Sequence, residues 1–181
     1  MASSKKVRVA TIWLSGCAGC HMSFLDQDEA LIDLAQQIDL VYSPIVDIKV
    51  FPEDVDVTLV EGAVANEDQE ELIKFARDRT KILISLGDCA DTANVTGLRN
   101  SLAPVSPEAV LKRAYIETAD INPQIPTDVP TLLPKALPVH EVVKVDYFIP
   151  GCPPPAGLIN WVIGRLMRGL PVNMEGRSKF G

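Results

Sequence analysis

Short β-prone apolar runs alternate with stretches of helical periodicity along this chain of 181 residues. The runs lie at positions 7–14, 39–42, 56–61, 82–86 and 143–149 and are predicted to be strands. Near-continuous runs of this kind are typical of a parallel sheet whose two faces are both covered by helices. The pattern therefore predicts an α/β protein.

Helices are predicted in the intervals between these strands. After the first strand, apolar residues at helical spacing predict one helix that returns the chain across the sheet: Phe24, Leu31, Leu34, Ala35 and Ile38. Asn66 and Gln69 form a capping-box pattern that opens a second helix, and a short helix is expected from Pro107 to about Tyr115. The last helix covers positions 158–167, where three apolar pairs are spaced by four residues.

The order of these elements predicts a flavodoxin-like, doubly wound parallel sheet that forms a single domain over residues 1–181. Apolar residues make up 47% of the chain, which is enough for one continuous core. Positions 121–140 contain five prolines and are expected to form an irregular loop that covers the domain.

The charge and the apolar runs exclude several classes of partner. With 17 basic and 24 acidic side chains the formal charge is −7, which argues against binding to nucleic acid. No run approaches the roughly 20 apolar residues of a membrane span, and the N-terminal run of about eight is too short for a signal peptide. We therefore expect a cytoplasmic protein, in which reduced cysteines are better suited to metal binding than to disulfides.

The only four cysteines all follow predicted strands. Cys17 and Cys20 form a Cys-x-x-Cys pair after the first strand, Cys89 follows the fourth strand and Cys152 the fifth. Because the carboxyl ends of parallel strands share one edge of a sheet, residues far apart in sequence can meet there. Four thiolates in one place favour an iron-sulfur cluster, and the glycines beside them allow the backbone to approach it closely.

Other interpretations of the cysteines remain open at this point. Structural zinc normally uses two Cys-x-x-Cys knuckles, whereas here one knuckle is joined by two solitary cysteines. Cys17 and Cys20 also fit a redox dithiol, and buried cysteines often serve only as small apolar core residues. A zinc-stabilised α/β binding module without redox activity is therefore the main alternative function.

Four segments together carry a resemblance to a known family: SGCAGC at 15–20, VEGAV at 60–64, LGDCA at 86–90 and IPGCPP at 149–154. They resemble the small subunit of nickel-iron hydrogenases over nearly the whole chain. In that family a flavodoxin-like domain holds the 4Fe-4S cluster nearest to the nickel-iron centre of a large subunit. The resemblance implies that Cys17, Cys20, Cys89 and Cys152 bind one such cluster.

Two departures narrow this resemblance. Periplasmic members carry a twin-arginine leader and a second domain for two more clusters. Neither is found in this sequence. It is therefore similar to the short small subunit of cytoplasmic NAD-reducing hydrogenases. The related quinone-reductase subunit of respiratory complex I has adjacent cysteines, whereas two residues separate Cys17 from Cys20.

The resemblance implies a role in electron transfer. Electrons would pass from the nickel-iron site of a large subunit, through this cluster, to a diaphorase module that carries further iron-sulfur clusters and FMN and reduces NAD. The same cluster subunit serving a different electron acceptor is an alternative. The flavodoxin-like fold also suggests FMN in this chain, as some members of the group are thought to carry, but the loop that would hold its phosphate contains Cys17 and Cys20. The sequence therefore leaves FMN binding by this chain open but does not indicate it.

Three further side chains near the cysteines have more than one interpretation. Glu61 ends a predicted strand at the same edge. From its position alone it is a solvated or helix-capping carboxylate. The resemblance instead implies a residue near the subunit interface that moves protons or fixes the cluster loop. Asp88 is predicted to be a turn or cap residue rather than an acid catalyst. His21 is either a surface or core-capping residue or a hydrogen-bond donor to a cluster sulfur.

Overall fold

The computed structural model describes residues 6–101 and 106–177, so residues 1–5, which entered the prediction that no signal peptide is present, lie outside it. Its strands are β1 Val7–Trp13, β2 Ile38–Tyr42, β3 Val55–Glu61, β4 Val64–Asn66, β5 Thr80–Leu86, β6 Leu132–Leu137 and β7 Tyr147–Ile149. Its α-helices are α1 Gly19–Leu25, α2 Ala30–Gln37, α3 Glu67–Asp78, α4 Asp88–Thr92, α5 Pro107–Lys112 and α6 Ala156–Met167. Two 3-10 turns, Thr96–Ser101 and Val139–Glu141, and one π-helical turn, Arg113–Glu117, complete these elements.

Five strands form a parallel sheet in the order β2-β1-β3-β5-β7. If these five strands alone are numbered 1 to 5 in chain order, their order in the sheet is 2-1-3-4-5, which is the order of flavodoxin. Glu61 at the end of β3 lies opposite Trp13 of β1 and Leu86 of β5, so these strands end almost level with one another. The predicted flavodoxin-like α/β fold is confirmed.

Alternate strand residues supply an apolar layer on each face of the sheet. On one face the strands pack against α1, α2 and α6 through a layer that includes Val9 and Ile84. On the other face they pack against α3 and α4 through a layer that includes Ala10 and Leu83. Because successive side chains of a strand point to opposite faces, burial of both faces explains the near-continuous apolar runs of the sequence.

The segment between β1 and β2 contains two helices instead of the single helix predicted. A polar turn separates α1 from α2; in it Asp28 has a φ of 51°, and the Gln27 side chain donates to the Phe24 carbonyl at 2.9 Å. Ile38, assigned to the helix by its spacing, begins β2. Phe24 and Leu34 both enter the same core layer, so the apolar spacing runs across the break and did not reveal it.

Two other boundaries differ from the predictions. β7 is shorter than the predicted strand, because residues 142–146 are irregular and Val143 and Val145 instead pack against the second core layer. β6 lies within the segment predicted to be irregular and pairs antiparallel with β4. Pro134 is compatible with β6, since both strands of a two-stranded sheet are edges where a missing N–H is tolerated.

Helices α3, α5 and α6 agree with the predictions, whereas α4, Asp88–Thr92, was not predicted. The Asn66 side chain accepts from the Gln69 N–H at 2.9 Å and caps α3, and α6 buries Ile159, Val162 and Ile163. α5 begins at Pro107 and gives way to the π-helical turn after Lys112. Within the described part of the chain, no helix is both long enough and apolar enough to cross a membrane.

Candidate functional site

A cavity of about 500 Å³ opens at the carboxyl edge of the parallel sheet. Cys17, Cys89 and Cys152 line it, together with Ser15, Gly16, Val95 and Thr96. Cys17 and Cys152 come from the loops that follow β1 and β7, and Cys89 lies in the first turn of α4, directly after β5, as the strand order requires. The sheet therefore brings together three cysteines that are up to 135 positions apart.

Cys20 completes the group from the buried side. It is buried, whereas Cys17 and Cys152 are exposed and Cys89 is half-buried. Burial raises the pKa of the Cys20 thiol, and the charges of Glu61 and of the other three cysteines raise it further. Burial also raises the pKa of Cys89, against a backbone hydrogen bond at Val95, and Cys152 and Cys17 add to that shift. Cys20 thus lies close enough to the other three cysteines for their charges to raise its pKa.

Gly87 lets the loop that carries Cys89 pass directly over Cys20. Its φ is 84°, a conformation that glycine adopts without steric cost, and a Cβ at this position would overlap the Cys20 Sγ. Gly19 is similarly placed, since a Cβ there would lie 3.2 Å from the Cys17 Sγ. These two glycines allow a close approach of the backbone to the Cys20 and Cys17 sulfurs, whereas the predicted approach to a cluster stays a prediction.

Glu61 is a buried carboxylate, 2% exposed, that holds the start of α1. Its Oε1 accepts from the Cys20 N–H at 3.3 Å, and its Oε2 accepts from the His21 N–H at 2.9 Å. The first N–H groups of a helix need acceptors from outside it, and the N-cap residue Ala18 provides no side-chain acceptor. Glu61 therefore caps α1 from a neighbouring strand, and its interpretation as a solvated carboxylate is wrong.

His21 is a partner of Glu61, a role that its position in the sequence did not reveal. The ring Nδ1 contacts Glu61 Oε2. The other ring nitrogen, Nε2, is buried and has no hydrogen-bond partner among the described residues. The contact at Nδ1 gives Glu61 a third link to the segment that carries Cys20.

Polar contacts also join the cysteine loops to one another. The Gly151 N–H donates to Asp88 Oδ1 at 2.6 Å, which links the loops of Cys89 and Cys152. The Thr96 hydroxyl donates to the Ser15 carbonyl at 2.9 Å, beside Cys17. Asp88 begins α4, as expected of a turn or cap residue, but its carboxylate bonds to a different loop.

Gln69 is a supporting residue whose tertiary contact the sequence did not predict. Its Oε1 accepts from the Ser15 hydroxyl at 3.0 Å and from the Ala65 N–H at 2.9 Å. Through it α3 supports the start of the Cys17 loop. The capping-box pattern indicated only a local role for Gln69, because no signal in the sequence near it points to Ser15.

Comparison with known proteins identifies relatives over most of the chain. The delta subunit of the NAD-reducing hydrogenase HoxS of Cupriavidus necator is 40% identical over 175 residues, which cover 93% of this chain and 82% of that subunit. A family model described as "NADH ubiquinone oxidoreductase, 20 Kd subunit" matches residues 17–166. The chain belongs to this family of oxidoreductase subunits. Within the family, its resemblance to hydrogenase small subunits is confirmed.

Archaeal members of the family are longer. A subunit of the vhu F420-non-reducing hydrogenase of Methanococcus voltae is 41% identical over 168 residues, covering 91% of this chain and 57% of that protein. The iron-sulfur subunit of the F420-non-reducing hydrogenase of Archaeoglobus profundus is 31% identical over 169 residues, covering 82% of this chain and 52% of that protein. This hydrogenase-type chain thus spans a little over half the length of these two relatives.

A solved structure of the family has the same fold. It is a crystal structure of NAD+-reducing NiFe-hydrogenase in the H2-reduced state, and one of its chains matches with a TM-score of 0.88 and 35% sequence identity. The match covers 93% of this chain and 95% of that one. The hydrogenase small-subunit fold therefore accounts for nearly all of both chains.

Proposed function

We propose that this chain is the electron-transfer subunit of an NAD-reducing nickel-iron hydrogenase and that Cys17, Cys20, Cys89 and Cys152 hold one 4Fe-4S cluster. The observation that supports this most directly is that Cys17, Cys89 and Cys152 line one cavity at the carboxyl edge of the sheet, with Cys20 beside them on the buried side. The Cupriavidus necator relative is a subunit of an NAD-reducing hydrogenase, and the Archaeoglobus profundus relative is named an iron-sulfur subunit.

The donor set suits an iron-sulfur cluster. Four thiolates are its usual protein ligands, and here three of the four cysteines border a cavity of about 500 Å³. A zinc ion instead needs its sulfur ligands at about 2.3 Å from one point. No three His, Cys, Asp or Glu side chains in residues 6–101 and 106–177 are arranged to hold a single metal ion. When bound, a 4Fe-4S cluster accepts and releases one electron at a time.

The protein's own side chains give the site a closed side and an open side. Cys20 and Phe24 belong to the core layer under the sheet edge, and Glu61 fixes the turn that carries Cys20. Cys17 and Cys152 are exposed on the opposite side. The closed side excludes water, and the open side lets a partner approach the thiols for electron exchange.

The proposal assigns the nickel-iron centre to a second chain. All four cysteines of this sequence are assigned to the cluster, so none remains as a nickel ligand. The matching crystal structure is of an NAD+-reducing NiFe-hydrogenase, which supports a large hydrogenase subunit as the partner. A diaphorase module with iron-sulfur clusters and FMN would then deliver electron pairs to NAD in the cytoplasm. FMN in this chain is not part of the proposal, because the loop that would hold its phosphate lines the cysteine cavity.

A second candidate function keeps the cluster and changes the electron acceptor. The Methanococcus voltae relative, at 41% identity, belongs to an F420-non-reducing hydrogenase. Assays of anaerobic H2 oxidation by the co-purified complex, with NAD and with a ferredoxin as acceptors, separate the two functions. H2-dependent formation of NADH supports the proposal, and reduction of the ferredoxin alone favours the second function.

The cluster is tested by metal analysis of the anaerobically purified complex. The wild-type complex is expected to contain about four more irons than the Cys20→Ala complex, which should also lose H2-driven reduction of the acceptor. Val95→Ala changes the wall of the same cavity without removing a thiol and should retain both. Zinc in place of iron would support the zinc module, and full iron content after removal of a cysteine would exclude that residue as a ligand.

A further inference from the structure

The Asp88 carboxylate lies where the loops of two proposed ligands meet. Asp88 is 4% exposed and directly precedes Cys89, while its partner Gly151 directly precedes Cys152. The Gly151 N–H donates to Asp88 Oδ1 at 2.6 Å, and the Asp88 N–H donates to the Gly151 carbonyl at 2.9 Å. The two bonds are reciprocal and join the residue before one cysteine to the residue before the other.

The sheet itself explains why a side chain is needed here. Beyond the last paired residues of β5 and β7, the Gly87 N–H donates to the Ile149 carbonyl at 2.8 Å. In a regular parallel ladder the next bond would run from the Gly151 N–H to the Gly87 carbonyl. That carbonyl instead accepts from two N–H groups in the first turn of α4. The Gly151 N–H has lost its ladder acceptor, and the Asp88 side chain replaces it.

We propose that Asp88 is a positioning residue that sets the separation of Cys89 and Cys152. A buried N–H needs an acceptor, and a bond to a carboxylate oxygen is among the stronger ones available. With the bond from the Gly151 N–H to the Asp88 carboxylate, the chain can turn from β5 into α4 while the loop after β7 stays in register with that turn. This role rests on the proposed function, because it matters for electron transfer only if the two cysteines hold a cluster.

A second carboxylate provides a matched control on the same two strands. The Asp146 N–H donates to the Leu83 carbonyl at 2.9 Å, and the Leu83 N–H donates to Asp146 Oδ2 at 2.9 Å. This reciprocal pair repeats the arrangement of Asp88 and Gly151, but it lies before β7, at the opposite end of that strand from Cys152. Comparison of the two carboxylates separates support for the sheet from support for the cysteines.

The experiment compares Asp88→Ala, Asp88→Asn and Asp146→Ala in the anaerobically purified complex. Asp88→Ala should lose the visible absorption of the cluster to an iron chelator about tenfold faster than wild type and should change the electron paramagnetic resonance spectrum of the reduced cluster. Asp88→Asn keeps an acceptor oxygen and should restore both properties. Asp146→Ala should lower the unfolding temperature while the spectrum and the chelation rate stay at wild-type values.

Hydrogen–deuterium exchange gives a readout that does not require the cluster. Peptides that contain Gly151 should exchange faster in Asp88→Ala than in wild type, and Asp88→Asn should restore the slow exchange. A wild-type spectrum with wild-type exchange in Asp88→Ala, or the same spectral change in Asp146→Ala, would overturn the inference. A wild-type complex without iron would instead reject the proposed function, and the exchange measurement would still decide whether Asp88 holds the loop.

Discussion

Glu61 belongs to β3, yet its carboxylate acts on the first turn of α1. Both of its oxygens accept backbone N–H groups, and Oε2 also contacts the His21 ring. A buried N–H that loses its acceptor costs about 1–3 kcal/mol. At the scale of single residues, the position of Cys20 therefore depends on a side chain that is 41 residues away in sequence.

Replacement of Glu61 by glutamine should destabilise the protein although the two side chains have nearly the same shape. Whichever way the amide is turned, its NH2 group faces an N–H donor, so the complex should lose about 1–3 kcal/mol of stability in thermal unfolding. Glu71→Gln, on an exposed position of α3, is the control and should have no such effect. Unchanged stability and iron content with slower H2 turnover would instead assign Glu61 to proton transfer.

Substitution of Gly87 by alanine should prevent binding of the proposed cluster. The Gly87 φ of 84° and ψ of 162° lie in a region that is essentially restricted to glycine and that costs another residue about 1–3 kcal/mol, and the added Cβ would overlap the Cys20 Sγ. Iron analysis of the complex measures the loss. Gly164→Ala, inside α6, adds a Cβ with only Arg168 Nη2 at 3.9 Å and should stabilise the protein by about 0.5–1 kcal/mol. Full iron content in Gly87→Ala would show that this loop can move away from Cys20.

At the scale of elements, Arg77 joins α3 to β5 and to the residue that precedes β7. Its guanidinium donates to Asp146 Oδ2 at 2.7 Å and to the Lys81 carbonyl at 3.2 Å. Partial burial raises the pKa of Asp146, but the Leu83 N–H and the Arg77 charge outweigh it and hold that pKa below the usual value. The ionised form of Asp146 is therefore favoured in the folded protein.

Because the pKa of Asp146 is depressed in the folded protein, its ionised carboxylate contributes to the free energy of unfolding in a pH-dependent way. This contribution is fully present above the unfolded-state pKa of about 3.9 and is lost as pH falls through the lower folded-state pKa. Asp146→Asn should therefore show a smaller fall in unfolding temperature than wild type between about pH 5 and pH 3. Glu53→Gln, whose carboxylate is 80% exposed and 3.5 Å from Arg79, should follow the wild-type curve. Parallel curves for Asp146→Asn and wild type would contradict this assignment.

At the scale of the whole molecule, large apolar side chains lie exposed around the cysteine edge. Trp13, at the end of β1, is 47% exposed, and Val95, which lines the cavity, is 63% exposed. Leu98, in the same 3-10 turn as the cavity residue Thr96, is 64% exposed. An apolar rim around the open cysteine site fits a partner that covers it. The proposed heterodimer with a large subunit should bury more than about 2,000 Å², and residues 121–140 are predicted to pack within or beside that interface.

Leu98→Glu should weaken assembly of the complex, because it places a charge in the proposed interface. Affinity co-purification of the large subunit with this chain measures the effect. Ile32→Glu, on α2, is a matched control, since Ile32 is also 64% exposed. Equal recovery with both variants would exclude this edge as the interface. A chain expressed alone whose cluster survives air as long as in the complex would contradict an obligate partner.

The apolar pattern predicted five strands, the parallel sheet and the final helix, because burial on both faces of a strand or along one stripe of a helix is a local property. The order of strands and cysteines was enough to predict that Cys17, Cys20, Cys89 and Cys152 meet at one edge. That these cysteines bind a cluster stays a proposal.

Tertiary structure decided the features whose partners are distant in sequence. The break between α1 and α2 was hidden because both helices bury residues in one layer, and β6 became a strand only because β4 lies beside it. Glu61 caps a helix, and Asp88 replaces an acceptor of the sheet ladder. Each carboxylate accepts from a buried N–H at least 40 positions away in sequence. Local periodicity carries no information about such pairs, since the need for an acceptor arises only when the sheet has brought the loops together.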